Sequence, residues 1–290
     1  TLNEECPLEI QAEIFGSKTS ETVKALVTLK DNTKIETVLI KHKDGRATVC
    51  VSSQVGCPMR CNFCATGKMG YKRNLETGEI IEQILFWQRY LHKGTGKLKH
   101  VTNVVYMGMG EPFMNYDNVM GSIKIINDKD VFNIGSRHIS VSTCGLIPEI
   151  IKFTKEKMQI NLAISLHATN DKLRSTLMPI NRKYPLVELM PAIKKYVDTR
   201  SRQVMFEYLM IDGVNDTEYH AKELAELMDH PLYMVNLIRY NPTGKYQPST
   251  SHAIRKFKNI LMRASVKVTQ RHSFGIDIQA ACGQLATENK

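Results

Sequence analysis

Stretches rich in apolar and β-branched residues, near 47–53, 101–107, 138–142, 160–166, 203–209, 233–238 and 266–270, alternate along the chain with segments of helical period. No other feature narrows the fold so far. The first helical segment, capped by Thr77, places Ile80, Ile81, Ile84, Leu85 and Tyr90 at helical spacing; further helices are expected near 116–127, 146–157, 186–198, 216–229 and 250–263. Such alternation argues for an α/β fold of βαβ units, a parallel sheet covered by helices in a barrel or partial barrel. Loops at the C-terminal ends of the strands build the site in such architectures. Ahead of the barrel, 24–29, 36–41 and 47–53 are separated by the turn signals Asp31-Asn32 and Asp44-Gly45 and read as a small antiparallel meander; 8–15 reads as a short helix. The division expected is 1–46, a helix and β-meander extension, and 47–290, the barrel with a C-terminal tail.

The first barrel strand leads into Gly56-Cys-Pro-Met-Arg-Cys-Asn-Phe-Cys64, in which Cys57, Cys61 and Cys64 form C-x3-C-x2-C with Phe63 just before the third thiol. An iron–sulfur cluster of the [4Fe–4S] type normally takes four thiolates, so three leave one iron open to another ligand. Zinc wants four closed ligands, and its usual remote second C-x2-C pair is missing. Ferredoxin loops begin C-x2-C, which does not fit the first gap. Three inert cysteines are the plain structural alternative, although polar and basic residues flank them. The spacing with its aromatic resembles the radical S-adenosylmethionine (SAM) signature.

Other candidate residues also follow strands. Strand 101–107 runs into Gly108-Met-Gly-Glu-Pro112; a dinucleotide-binding fingerprint would need a third glycine where Phe113 stands. The two glycines permit close backbone approach to a ligand, and Glu111 is placed to pair with an ammonium group such as that of SAM. Ser142 and the run Ser165-Leu166-His167 offer hydroxyls for a ribose or carboxylate, or equally for local backbone. Asn241-Pro242 reads as a turn. In the C-terminal run, Cys282 sits between small residues that let the backbone carry its thiol into a cavity. Cys50 lies on the strand leading to the cysteine loop, and two remote thiols near a redox centre suggest a nucleophile and its resolving partner. Cys6 and Cys144 are assigned to the inert class.

Chain length and composition set the remaining bounds. The 290 residues, 42% hydrophobic and 23% charged, suit a globular protein with a large core. No apolar run approaches the ~20 residues that span a bilayer, and no signal or transit peptide is visible. A chain that begins at Thr1 is read as processed or as part of a longer protein. Seven cysteines, three of them crowded on one loop, fit a reducing compartment rather than a disulfide framework. The net charge of +10 favours a polyanionic partner, nucleic acid first. Lys68, Lys72, Arg73, Lys245, Arg255, Lys256 and Lys258 are the candidate phosphate contacts.

Taken with Met178-Pro-Ile-Asn181, Gly213-Val-Asn215-Asp216 and Ala280-Ala-Cys-Gly-Gln-Leu285, these motifs resemble, in order and from about 36 to 285, the RlmN/Cfr family of radical SAM adenosine methyltransferases acting on ribosomal RNA. The resemblance implies a radical SAM partial (β/α)6 barrel with a small N-terminal β extension. It implies that Cys57, Cys61 and Cys64 bind [4Fe–4S], and that Gly110, Glu111, Ser142, Ser165, Leu166, His167 and Asn241 contact SAM. Cys282 would become S-methylated, Cys50 would be the second catalytic thiol, closing a disulfide with Cys282, and Glu36 would match an adenine-facing glutamate. The activity implied is methylation of adenine C2 in 23S ribosomal RNA, and in transfer RNA, with two SAM consumed per product. An electron donor such as flavodoxin, a monomeric state, no membrane and a cytoplasmic location go with it. Most loops resemble the C2 branch, whereas Phe274-Gly-Ile-Asp-Ile278 is similar to the C8-methylating branch; a zinc-bearing RNA-binding module is the rival of another class. The family usually carries a helical N-terminal accessory domain and an acidic residue where Gln279 stands.

Overall fold

The computed structural model describes residues 10–287 apart from 20, 95 and 97. Strands β1 (Gln11–Gly16), β2 (Thr22–Thr28), β3 (Lys34–Lys41) and β4 (Ala47–Cys50) pair antiparallel in sequence. A two-stranded hairpin follows, β5 (Gln54–Gly56) with β6 (Tyr71–Asn74), and the short helix α1 (Ala65–Lys68) lies between its arms. From β4 the main sheet continues through β7 (Asn103–Tyr106), β8 (Ile139–Thr143), β9 (Asn161–Ser165), β10 (Val204–Met210), β11 (Tyr233–Arg239) and β12 (Lys267–Arg271), each parallel to the one before. The strand order runs from β1 to β12 without closing, so the sheet is a partial barrel of six βα units completed by a last strand. Hydrogen bonding is unbroken from β3 into β4, and the meander is therefore one edge of the same sheet.

The apolar runs explain the parallel pairing. β4 is buried at every position and β10 at nearly every one, as expected where helices cover the outer face of the sheet and its inner face lines the barrel interior. Those helices are α2 (Thr77–Lys93), α3 (Tyr116–Asn127), α4 (Ile147–Thr154), α5 (Asp171–Leu177), α6 (Leu186–Arg200), α7 (Glu218–Leu227) and α8 (Ser251–Arg263). On α2 the buried stripe is Ile80, Ile84, Trp87 and Leu91, and the Trp87 indole donates to Thr37 Oγ1 on β3 at 3.1 Å. Its cap is Glu76, one residue before the expected Thr77, because Glu76 and Glu79 close a reciprocal capping box.

Three expectations change. The stretch expected as a helix at 8–15 is strand β1 over its described part, since six residues zipped onto β2 satisfy backbone groups that an isolated short helix satisfies poorly. Residues 8 and 9, and Cys6, lie outside the described residues. The stretch 54–75 holds β5, α1 and β6, none of which was among the expected elements. Helix α5 was not expected; Asn170 caps it by accepting from the Leu173 amide at 3.0 Å. Among the described residues no helix is long and apolar enough to cross a membrane.

Candidate active site

The cysteine loop hangs from the C-terminal end of β4 and is closed by the Cys57 amide donating to Gly70 O at 2.7 Å. Cys57, Cys61 and Cys64 line one cavity at the C-terminal ends of the parallel strands. Burial pushes the Cys57 and Cys64 thiols up, so bare thiolates are disfavoured there and a bound cation would offset the cost. Among the described residues no three His, Cys, Asp or Glu side chains converge as a single ion requires. Three loop thiols on one cavity wall are the ligand set of a cluster whose irons each take one thiolate.

Strand ends supply the rest of the cavity. Gly108 and Gly110 were read as allowing close approach of a ligand; both line or border the cavity, yet their demand for glycine comes from the protein itself. A Cβ on Gly108 would stand 2.6 Å from Val51 O, and one on Gly110, whose φ is +103°, 2.6 Å from Gln54 Cβ. Glu111 is buried, and its carboxylate accepts from the Cys144 amide at 2.7 Å and the Phe113 amide at 3.0 Å. Burial raises its pKa despite those bonds. Ser142 Oγ donates to Glu207 Oε2 at 2.8 Å and lies 3.5 Å from Ser165 Oγ. His167 is neutral, held down to about 3 by burial and by Arg174. Its Nδ1 accepts from the Leu209 amide at 3.1 Å, which leaves the proton on Nε2, and its ring meets Phe63 edge-on at 4.8 Å. Leu166 is wholly buried and does not line the cavity; its amide and carbonyl bond Glu207 O and Arg174 Nε.

The remaining motifs build the floor of the site. Arg174, fully buried, donates to the carbonyls of Cys144, Ser165 and Leu166 and to Asn181 Oδ1, tying the ends of β8 and β9 together. Asn215 bonds the Ile211 amide and the carbonyls of His167 and Leu209, fixing the end of β10. Both asparagines are structural, and neither lines the cavity.

The C-terminal tail is stitched across this mouth. The Ala65 amide donates to Gly283 O at 2.8 Å, Thr66 Oγ1 to Leu285 O at 2.6 Å, Asn241 Nδ2 to Cys282 O at 3.1 Å, and the Ala286 amide to Glu36 Oε2 at 2.8 Å. Cys282 thereby lines the cavity of the three cysteines. It also lines a second cavity, shared with Cys50 and Asn241, whose wall carries His42, Arg46, His138 and His272. Burial, and next the neighbouring Cys282, push the Cys50 thiol up to about 12.

Two expected residues sit elsewhere than their assigned roles suggest. Glu36 lines neither cavity; it is buried on β3 with Lys24 Nζ 2.8 Å from Oε1, and it clasps the tail. Asn241 lines the second cavity and bonds the tail backbone rather than the first cavity. Two further residues escaped the sequence reading. Glu207, on β10, pairs with Arg271 at the end of β12, Oε1 to Nη1, at 3.3 Å, and Arg271 Nη1 lies 3.5 Å from Cys282 Sγ. A charged residue inside the apolar run Val204–Met210 was the available signal. Among the basic candidates, Arg73 is taken by Asp31 at 2.7 Å and Glu79 at 2.8 Å, Lys256 by Glu218, and Lys68 donates to Thr243 O at 2.6 Å. Lys72, Arg255 and Lys245 are exposed, the last over the Tyr246 ring.

A sequence model of the Radical SAM superfamily matches residues 51–225, from the end of β4 through the three cysteines and the strand ends of β7 to β10. Open sheet, three-thiol cavity and match together define a radical SAM enzyme. A Dictyoglomus turgidum protein described as a probable dual-specificity RNA methyltransferase RlmN is 51% identical over 266 residues, 91% of this chain and 75% of that one. A Spiroplasma citri protein of the same description is 46% identical over 269 residues, 93% of this chain and 77% of that one. The crystal structure of a radical SAM methyltransferase from Sphaerobacter thermophilus matches with a TM-score of 0.94 at 45% identity, covering 99% of this chain and 84% of that one. The chain belongs to the RlmN family of radical SAM enzymes.

Cys61→Ala is expected to leave the protein colourless after anaerobic treatment with iron and sulfide, where the parent turns brown with broad visible absorption. A parent that stays colourless and binds zinc instead would restore the zinc reading.

Proposed function

We propose that the protein methylates C2 of an adenosine in ribosomal RNA, and in transfer RNA, with Cys282 carrying the one-carbon unit. The observation behind this reading is the double position of Cys282, which lines both the cavity of Cys57, Cys61 and Cys64 and the cavity of Cys50. A thiol at that junction can be loaded from one side and discharged on the other.

Adenine C2 and C8 are carbons flanked by nitrogens and have no electron pair with which to displace a methyl group. The carbon must therefore travel on a protein group able to hold it. Cys57, Cys61 and Cys64 would hold a [4Fe–4S] cluster, which would supply the electron for a radical route. Glu111, Ser142, Ser165 and His167 present a carboxylate, two hydroxyls and an imidazole N–H around that cavity, a set suited to the ammonium and ribose of SAM. Leu166 fixes Ser165 and His167 through its backbone bonds, and Gly110 lets the Glu111 loop pack on Gln54. Asn241 acts on the tail.

The second cavity, with its histidines and Arg46, is the seat assigned to the target base, unpaired or flipped from its stack. There the Cys50 thiolate attacks the Cys282 sulfur; the bond from that sulfur to the carbon on the base breaks with its pair passing to carbon, which takes up a proton to become the methyl group, and a Cys50–Cys282 disulfide remains. The resemblance also supports a cytoplasmic monomer that receives electrons from a small carrier such as flavodoxin.

Mass spectrometry of nucleosides from treated ribosomal and transfer RNA is expected to find 2-methyladenosine. Finding 8-methyladenosine would move the protein to the other branch. SAM cleavage without any methylated adenosine would overturn RNA as substrate.

A further inference from the structure

We infer that Arg271 is the positioning residue that holds the Cys282 sulfur for its own methylation, an assignment that rests on the carrier role proposed for Cys282. Arg271 closes β12, opposite Ile238 of β11, so its backbone is fixed by the sheet. Its Nη1 lies 3.5 Å from Cys282 Sγ and 3.3 Å from Glu207 Oε1, and Nη1 and Nη2 lie 3.6 and 3.5 Å from Met107 Sδ. Glu207 in turn accepts from Ser142 Oγ through its other oxygen at 2.8 Å. One guanidinium nitrogen thus joins the sulfur to the hydroxyl-bearing wall of the SAM cavity.

A simple ion pair would not need this sharing. Burial works against the Arg271 charge, yet Cys282 and Glu207 hold its guanidinium above the ordinary value. A charged donor bonds a thiolate strongly and a methylated sulfur weakly. In the step served, the Cys282 thiolate forms the S–CH3 bond as the sulfonium S–CH3 bond of SAM breaks. That bond pair stays on the departing sulfur, giving S-adenosylhomocysteine with no net oxidation. Once Cys282 is a thioether, Arg271 keeps Glu207 and loses its sulfur partner. Arg271 also lines the second cavity, beside Cys50, but its bond to the sulfur serves the loading of Cys282.

Two readouts separate this role from a merely structural one. The first is the rate at which iodoacetamide alkylates Cys282 in the full chain without its cluster, followed on the Cys282 peptide by mass spectrometry. Arg271→Met is expected to slow it about tenfold or more, and Arg271→Lys to recover part of the loss. The second is single-turnover chemistry: Cys282 S-methylation should fall by about tenfold to a hundredfold in Arg271→Met, and variant protein isolated with Cys282 already methylated should lose less than that in passing its carbon to RNA. Should Arg271→Met fail to fold, the Arg271→Lys values decide alone, since a lysine keeps the charge and loses the shared fork. Loading at the parent rate in both variants would overturn the role of Arg271. A parent that never methylates Cys282 would overturn the carrier reading instead.

Discussion

Cys50→Ala is expected to leave the protein covalently attached to its RNA. Cys282 carries the carbon into the second cavity, and once that carbon is bonded to the base the bridge from sulfur to RNA must be cut. Among the described residues, Cys50 is the thiol that shares this cavity with Cys282. The half-buried thiol of Cys144 lines the first cavity instead. Without Cys50, multiple turnover should fall by on the order of 10³ or more, the scale of losing a covalent catalyst. The missing product should appear as a protein–RNA species on a denaturing gel, with the mass of both partners. Cys282→Ala should give neither free product nor adduct, because no carrier remains. Free methylated RNA from Cys50→Ala at the parent rate would remove Cys50 from the scheme.

The pairing of these thiols also shows what a sequence can and cannot disclose. Cys57, Cys61 and Cys64 are legible because their spacing lies within one loop, and the βα alternation because strands buried on both faces must be apolar along their length. Cys282 and Cys50 are legible as a suggested nucleophile and resolving partner; the cavity that both line is a property of β4, β12 and the tail brought together. Arg271 and Glu207 depend on the same long-range contact. A single charge in an apolar strand says that it has a partner and not which one. Arg73 fails in the opposite direction. It stands in a basic stretch and looks free for phosphate, yet Asp31 and Glu79 arrive from β-turn and helix to occupy it. The glycines of the run 108–112 were legible as special, but the close approach they permit is to Val51 and Gln54. Edge strand β1 was misread because periodicity over so short a stretch does not separate helix from strand, and its pairing with β2 decides.

Glu36 is the residue whose place in the structure departs furthest from its expected role, and Lys24→Met tests what it does. The Glu36 carboxylate is buried, with Lys24 Nζ 2.8 Å from one oxygen and the Ala286 amide 2.8 Å from the other. Burial raises its pKa above the ordinary carboxylate range, and Lys24 works against that rise. A carboxyl raised in the folded state binds a proton more readily there than in the unfolded chain. Its contribution is therefore most favourable below the unfolded value and declines as pH climbs through the folded one. Removing Lys24 strips the carboxylate of its counter-charge and should cost roughly 3–5 kcal/mol at neutral pH and above, the range for breaking a buried pair from one side. The loss should shrink on acidification as Glu36 takes up a proton. Adding Glu36→Gln to Lys24→Met should recover most of the stability, because a neutral amide oxygen still accepts from Ala286 and no charge is left buried. Denaturant unfolding of the parent, the single and the double variant across the acid-to-neutral range measures all three. A Lys24→Met loss that stays constant with pH, or a double variant no better than the single, would show that the carboxylate does not depend on Lys24. The same set bears on catalysis: Ala286 lies just beyond Cys282 on the tail, so Glu36→Ala, which deletes the clasp, should slow Cys282 methylation, while Glu36→Gln should preserve it. An adenine-binding carboxylate would give the reverse pattern, with methylation of Cys282 intact in both and transfer to RNA impaired in both.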